Sequence, residues 1–135
     1  MDDKKMPEGK SEAEHRREIG YKSEIREISL ENFFQAVLAM RAQGWRLAQI
    51  CAVCVEGGYE MSYSFCNDKN YWMLTLRLDV KEDQEIASIT HIYPCAFIQE
   101  NEAAELFGVK IKHIEPDYHN TLYRIDEAAP FKKKE

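Results

Sequence analysis

The chain has 135 residues with 18 basic and 24 acidic side chains, a formal net charge of −6. That length carries one domain with room for tails, and the negative balance argues against a nucleic-acid or anionic-membrane surface as the main partner, though not against a small basic patch. No apolar run reaches the length of a membrane span, and the N-terminus lacks the hydrophobic core of a signal peptide.

Residues 1–18 are charged, have no hydrophobic period, and read as a disordered, flexible tail. Residues 19–113 read as an α+β domain, and 114–135 as an extended C-terminal arm. The segment YKSEIREIS offers a short first strand through Ile25 and Ile28. Ser29 then stands at an N-cap, and Leu30, Phe33, Phe34, Val37, Leu38 and Arg41 follow the spacing of a one-sided helix that Gly44 ends. A strand is predicted over 45–55, followed by a tight turn at Gly57 and Gly58. Tyr59, Met61, Tyr63 and Phe65 alternate with polar residues, and 67–70 form a second turn. Trp72, Leu74, Leu76, Leu78 and Val80 are the best period-two run in the sequence. Three such strands make an antiparallel β-meander with one buried face, for which helices are the natural cover.

After a polar break at 81–85, IASITHIY supplies a short strand or extended piece that places His91 as a core or edge residue. Pro94 suits a first helical turn. The helix that follows, FIQENEAAELFGV, closes on a Phe-Gly pair. At about 100° per residue, Glu100 falls near Phe97, Ala103, Ala104 and Phe107, with Glu102 and Glu105 roughly opposite. A carboxylate on that apolar side needs a donor or a cation. Two readings stand: a solvated helix start whose glutamates complement the macrodipole, or a face shaped for contact. Past Gly108, VKIKHI alternates once more, and Tyr118, Leu122, Tyr123 and Phe131 are then spaced among polar residues. Such an arm cannot build its own core, so its aromatics need this domain's surface or a partner's.

Chemistry-bearing sets are few. There is no Gly-rich phosphate loop, GxSxG elbow or HExxH pair. His113 and His119, with Glu115 and Asp117 between them, could form a surface metal site, but a loose segment lacks the supporting contacts that orient ligands. Cys51 and Cys54 have metal-ligand spacing, yet ICAVCV reads as a strand, on which residues three apart face opposite ways. Cys51, Cys54, Cys66 and Cys95 therefore read as small buried hydrophobes, with a small metal- or iron–sulfur-binding redox protein as the alternative function.

The residues 100–109, ENEAAELFGV, resemble the E-R-E-x-x-D-L-F-G-I signature of the 30 kDa subunit family of respiratory complex I (NADH dehydrogenase). The arm DYHNTLYRIDEAAPF is similar to that of the small hydrophilic counterpart in energy-converting, membrane-bound nickel–iron hydrogenases. Asn101 stands where the motif has arginine, and Glu105 where it has aspartate. A Gly-His-Pro-Asp segment is replaced by KHIEPD, which favours the hydrogenase branch. The resemblance implies a cofactor-free accessory subunit that docks on the catalytic large subunit and neighbours its iron–sulfur small subunit. It would be cytoplasmic, peripheral on the inner face of the membrane, and would meet the membrane only through other subunits. Carried over, Glu100, Glu102, Glu105, Phe107, Gly108, Asp117, Tyr118, Leu122 and Tyr123 form or shape the partner interface.

Overall fold

A computed structural model describes residues 22–119, 122–123 and 128–132. The predicted tail over 1–18 lies outside these residues. Strand β1 (Lys22–Glu27) leads into helix α1 (Leu30–Ala42), then β2 (Arg46–Val55), β3 (Gly58–Asn67) and β4 (Trp72–Lys81). The last three pair antiparallel as expected, and β1 adds to β4 in parallel, giving the order β1-β4-β3-β2. Because β1 and β2 run the same way at opposite edges, α1 must cross the sheet to join them.

Pairing aligns the alternating residues row by row. Ala52, Met61 and Leu78 share one row, and Ile50, Tyr63 and Leu76 the next. All six are buried, which defines the inner face. Phe33 of α1 lies on Tyr63 with ring centroids 4.6 Å apart. The other face carries Ser62, Ser64 and Arg77, with Ser64 and Thr75 joined at 2.9 Å and Arg77 Nε 3.0 Å from Glu60. The strand hairpin corrects one detail. The turn residues are Glu56 and Gly57, whereas Gly58 is already in β3 and pairs with Lys81. A Cβ on Gly58 would lie 2.1 Å from the Val80 carbonyl, so the neighbouring strand requires glycine there.

Helix α1 buries Phe33, Val37 and Met40, a narrower stripe than predicted. Phe34 and Leu38 point outward, 41% and 46% exposed, because the helix rests on the sheet along one line and residues about 100° off that line clear it. Ser29 occupies the N-cap position but does not cap. Its hydroxyl instead accepts from Asn32 Nδ2 at 3.0 Å. At the far end Gly44 N donates to Arg41 and Trp45 N to Met40, the paired bonds of a Schellman motif.

Strand β5 (Glu85–Ala87) takes up the start of the predicted strand or extended piece; beyond it the chain is irregular with a turn over 90–92, and His91 is exposed there rather than held in a core or edge strand. A 3₁₀ turn (Pro94–Ala96) opens helix α2 (Phe97–Glu102), which widens into a π-helix over Ala103–Phe107. Gly108 closes it at φ +79°. Its N–H reaches Ala104 and that of Val109 reaches Ala103, each one residue further back than in α1. The π turn has inserted one residue ahead of the same kind of cap. Strand β6 (Lys110–Lys112) then returns parallel to β5. No helix of the described residues is long and apolar enough to cross a membrane.

Candidate docking site along helix α2

The site is built by α2 and the segment that follows it. Gln99 fixes the helix to the sheet, its Oε1 accepting from Ile50 N at the exposed edge of β2. Glu100 turns inward and is 0% exposed. Its carboxylate accepts from Ser88 Oγ at 2.5 Å and from Ile89 N at 2.8 Å. Ser88 and Thr90 share a 2.7 Å hydroxyl contact, and Thr90 Oγ1 accepts from Glu115 N at 3.1 Å. The network thus ties the helix to the loop before it and to the start of the arm. Burial pushes the Glu100 carboxyl above its ordinary range, against the bonds from Ile89 and Ser88. Burial, with the Glu100 charge behind it, also keeps the Tyr63 phenol protonated.

The next residue, Asn101, is 3% exposed. Its Nδ2 donates to Phe97 O at 2.7 Å and Pro116 O at 2.9 Å, and its Oδ1 accepts from Tyr118 N at 3.0 Å. The amide therefore grips the arm's backbone from both sides, as a neighbouring strand would. Glu105, four residues later, accepts from Tyr123 N with both oxygens, at 3.0 and 3.1 Å. Helical spacing places it on the outer side of α2, but it is only 3% exposed, since the arm closes over it. Rings follow the same track: Tyr118 stacks on Phe97 with centroids 6.4 Å apart, and Phe131 meets Phe107 at 5.4 Å. The described parts of the arm therefore lie along α2 instead of leaving the domain, held by polar groups that would be costly to bury unpaired.

The residues named from the sequence fall into two sets. Glu100 and Glu105 are enclosed and engaged within the chain, so they can only shape a contact surface. Glu102, Phe107, Gly108 and Leu122 are half-buried, and Asp117, Tyr118 and Tyr123 are exposed. Glu102 sits at the Tyr123 hydroxyl, and its charge raises the phenol's pKa. Asp117 Oδ1 accepts from His119 N at 2.8 Å. The clamping role of Asn101 is not legible in the sequence pattern around it. A small amide at i+4 from Phe97 and i−4 from Glu105 is the only signal that could have indicated it. The four cysteines do not converge. Cys51 and Cys54 face opposite sides of β2, and Cys51 and Cys95 are exposed, not buried as expected. Among the described residues no group of three or more His, Cys, Asp or Glu could hold a metal ion. His91 instead faces Glu115 at 3.8 Å, and His119 faces Asp117 at 3.6 Å.

Fold and site together define a mixed α/β domain whose helix holds its own C-terminal arm in place, with the arm's aromatic rings at the surface. A family model described as the respiratory-chain NADH dehydrogenase, 30 Kd subunit, matches residues 26–134. The protein belongs to that family, whose class is that of subunits of complex I-related respiratory complexes. It is also similar to a subunit in the structure of the membrane-bound sulfane sulfur reductase, an archaeal respiratory membrane complex, with a TM-score of 0.70 and 19% identity. The similarity covers 78% of this chain and 65% of that one, so this chain spans under two thirds of the solved subunit. At that identity the likeness concerns the fold. No curated protein matches the chain in sequence.

Proposed function

We propose that the protein is a cofactor-free accessory subunit of a membrane-bound oxidoreductase complex of the energy-converting nickel–iron hydrogenase type. It docks on the catalytic large subunit, next to the iron–sulfur small subunit, and stabilises it on the cytoplasmic side of the membrane. Electrons and protons pass through its neighbours. The observation that carries this reading is the arm: the buried Asn101 and Glu105 side chains hold its backbone, which leaves the rings of Tyr118 and Tyr123 half in solvent. Aromatic side chains presented on a backbone already ordered cost little further entropy on binding, and such rings are favoured anchors at interfaces.

On this reading Glu102, Phe107, Gly108, Asp117, Tyr118, Leu122 and Tyr123 meet the large subunit, and Glu100 and Glu105 set the shape they meet it with. Replacing Tyr118 and Tyr123 together by alanine should reduce co-purification of the large subunit with a tagged copy of this protein by tenfold or more, about 1.4 kcal/mol or greater, as expected of anchor residues. Unchanged stoichiometry in a folded double variant would contradict the proposal. Phe107→Ala should weaken assembly in the same assay, because it removes a half-buried ring from under the arm.

A further inference from the structure

A second piece of the arm closes the C-terminal end of α2. Phe131 N donates to Leu106 O at 2.7 Å, and Phe131 O accepts from the Cys54 thiol at 3.0 Å. Helix and sheet thus grip both backbone groups of one residue. The Phe131 ring rests against Phe107 at a 58° tilt. The next side chain, Lys132, places its Nζ 2.8 Å from Glu82 Oε1, with the buried Tyr59 hydroxyl behind it. Gly108 leaves the room: a Cβ there would come within 3.3 Å of both Ala129 Cβ and the Tyr59 hydroxyl. The four features read a definite chemistry. A helix-end carbonyl and a thiol hold the backbone of a tight turn, which Lys132 N closes onto Ala129 O at 3.0 Å; a ring supports an aromatic side chain, and a carboxylate takes a cation one position further on.

We infer that this corner is a recognition seat for a turn-forming segment in which an aromatic residue is followed by a basic one. In the free protein Phe131 and Lys132 fill it, and they are open to exchange with a partner segment of the same kind. Only the partner's use of the seat rests on the docking function proposed above. The resident is lightly held. Phe131 is 57% exposed, and the Lys132–Glu82 pair is itself half in solvent, where ion pairs contribute little and salt screens them. Pro130 ahead of it restricts the segment's backbone, which lowers the cost of seating.

The test needs no partner protein. In the full-length protein, Lys132→Glu and Glu82→Lys should each speed hydrogen exchange at the Phe131 amide roughly two- to fivefold, the range an exposed ion pair supports, and the double reversal should restore it. A blocked Ala-Ala-Pro-Phe-Lys-Lys peptide titrated into full-length Phe131→Ala should give saturable amide shifts at Leu106, Phe107 and Gly108. The same peptide with alanine in place of phenylalanine should give none. No saturable shift, or equal shifts from both peptides, would overturn the seat. Loss of the seat would leave the docking proposal intact, and a protein that failed to dock yet bound the peptide would leave the seat standing.

Discussion

Glu100 is the most demanding side chain in this domain to bury, because its carboxylate trades water for a hydroxyl and a peptide N–H. One arrangement satisfies every donor around the ionised form: Glu115 N to Thr90, Thr90 to Ser88, and Ser88 to Glu100. Protonating the carboxyl reverses the two hydroxyls and leaves Thr90 with a proton to place. Even so, burial dominates and the carboxyl titrates above its ordinary range. A glutamate raised in the folded state contributes stability that is fully present below the unfolded pKa and lost as pH rises through the folded one. Glu100→Gln keeps the acceptor for Ile89 and carries no charge. The wild type should therefore lose stability more steeply than Glu100→Gln as pH climbs from the normal glutamate range towards neutrality. Thermal unfolding across that window is the check, and parallel curves would refute it. Asn101→Leu probes the neighbouring clamp. It removes two bonds to the arm at near-constant volume, so attachment of the arm should weaken by about 1–3 kcal/mol. The Tyr118 amide should then exchange faster while β3 and β4 amides do not. Equal acceleration in the sheet would mean that Asn101 supports the core instead.

Among the elements, the π turn of α2 matters most. It adds one residue before the Gly108 cap, which turns Glu105 towards the arm and sets Leu106 O facing Phe131. Gly108→Ala must place a Cβ at φ +79° beside Ala129 and Tyr59, which should cost about 1–2 kcal/mol in urea unfolding. A neutral result would mean that the helix end can relax. The helices and the meander were legible in the sequence because period-two and i, i+4 patterns report burial directly, and Gly44 and Gly108 punctuate both helix ends. The parallel seat of β1 was not, since Lys22, Glu24, Arg26 and Glu27 show no apolar face and an edge strand needs none. The outward turn of Phe34 and Leu38 was hidden for a related reason: helical spacing gives a stripe, and only packing decides its width. The site was half legible. Glu100 was placed on the apolar side, but the π turn and the folding back of the arm depend on contacts distant in sequence, which no local period reports.

At the scale of the molecule, α1 and α2 pack on one face of the sheet, and the opposite face stays open with Ile25, Val53 and Val55 partly in solvent. One solvated face is ordinary for antiparallel strands. The molecule therefore offers two candidate surfaces, that open face and the aromatic track where the arm lies on α2. The track is the better prepared of the two, because its backbone is held by Asn101 and Glu105 before any partner arrives. The most direct test is hydrogen exchange on this protein, free and within the purified complex. Protection should appear at Tyr118, Leu122, Tyr123 and the end of α2, while the strands around Val53 and Ile25 stay as they were. Protection confined to the open sheet face, with the arm still exchanging as in the free protein, would contradict the account.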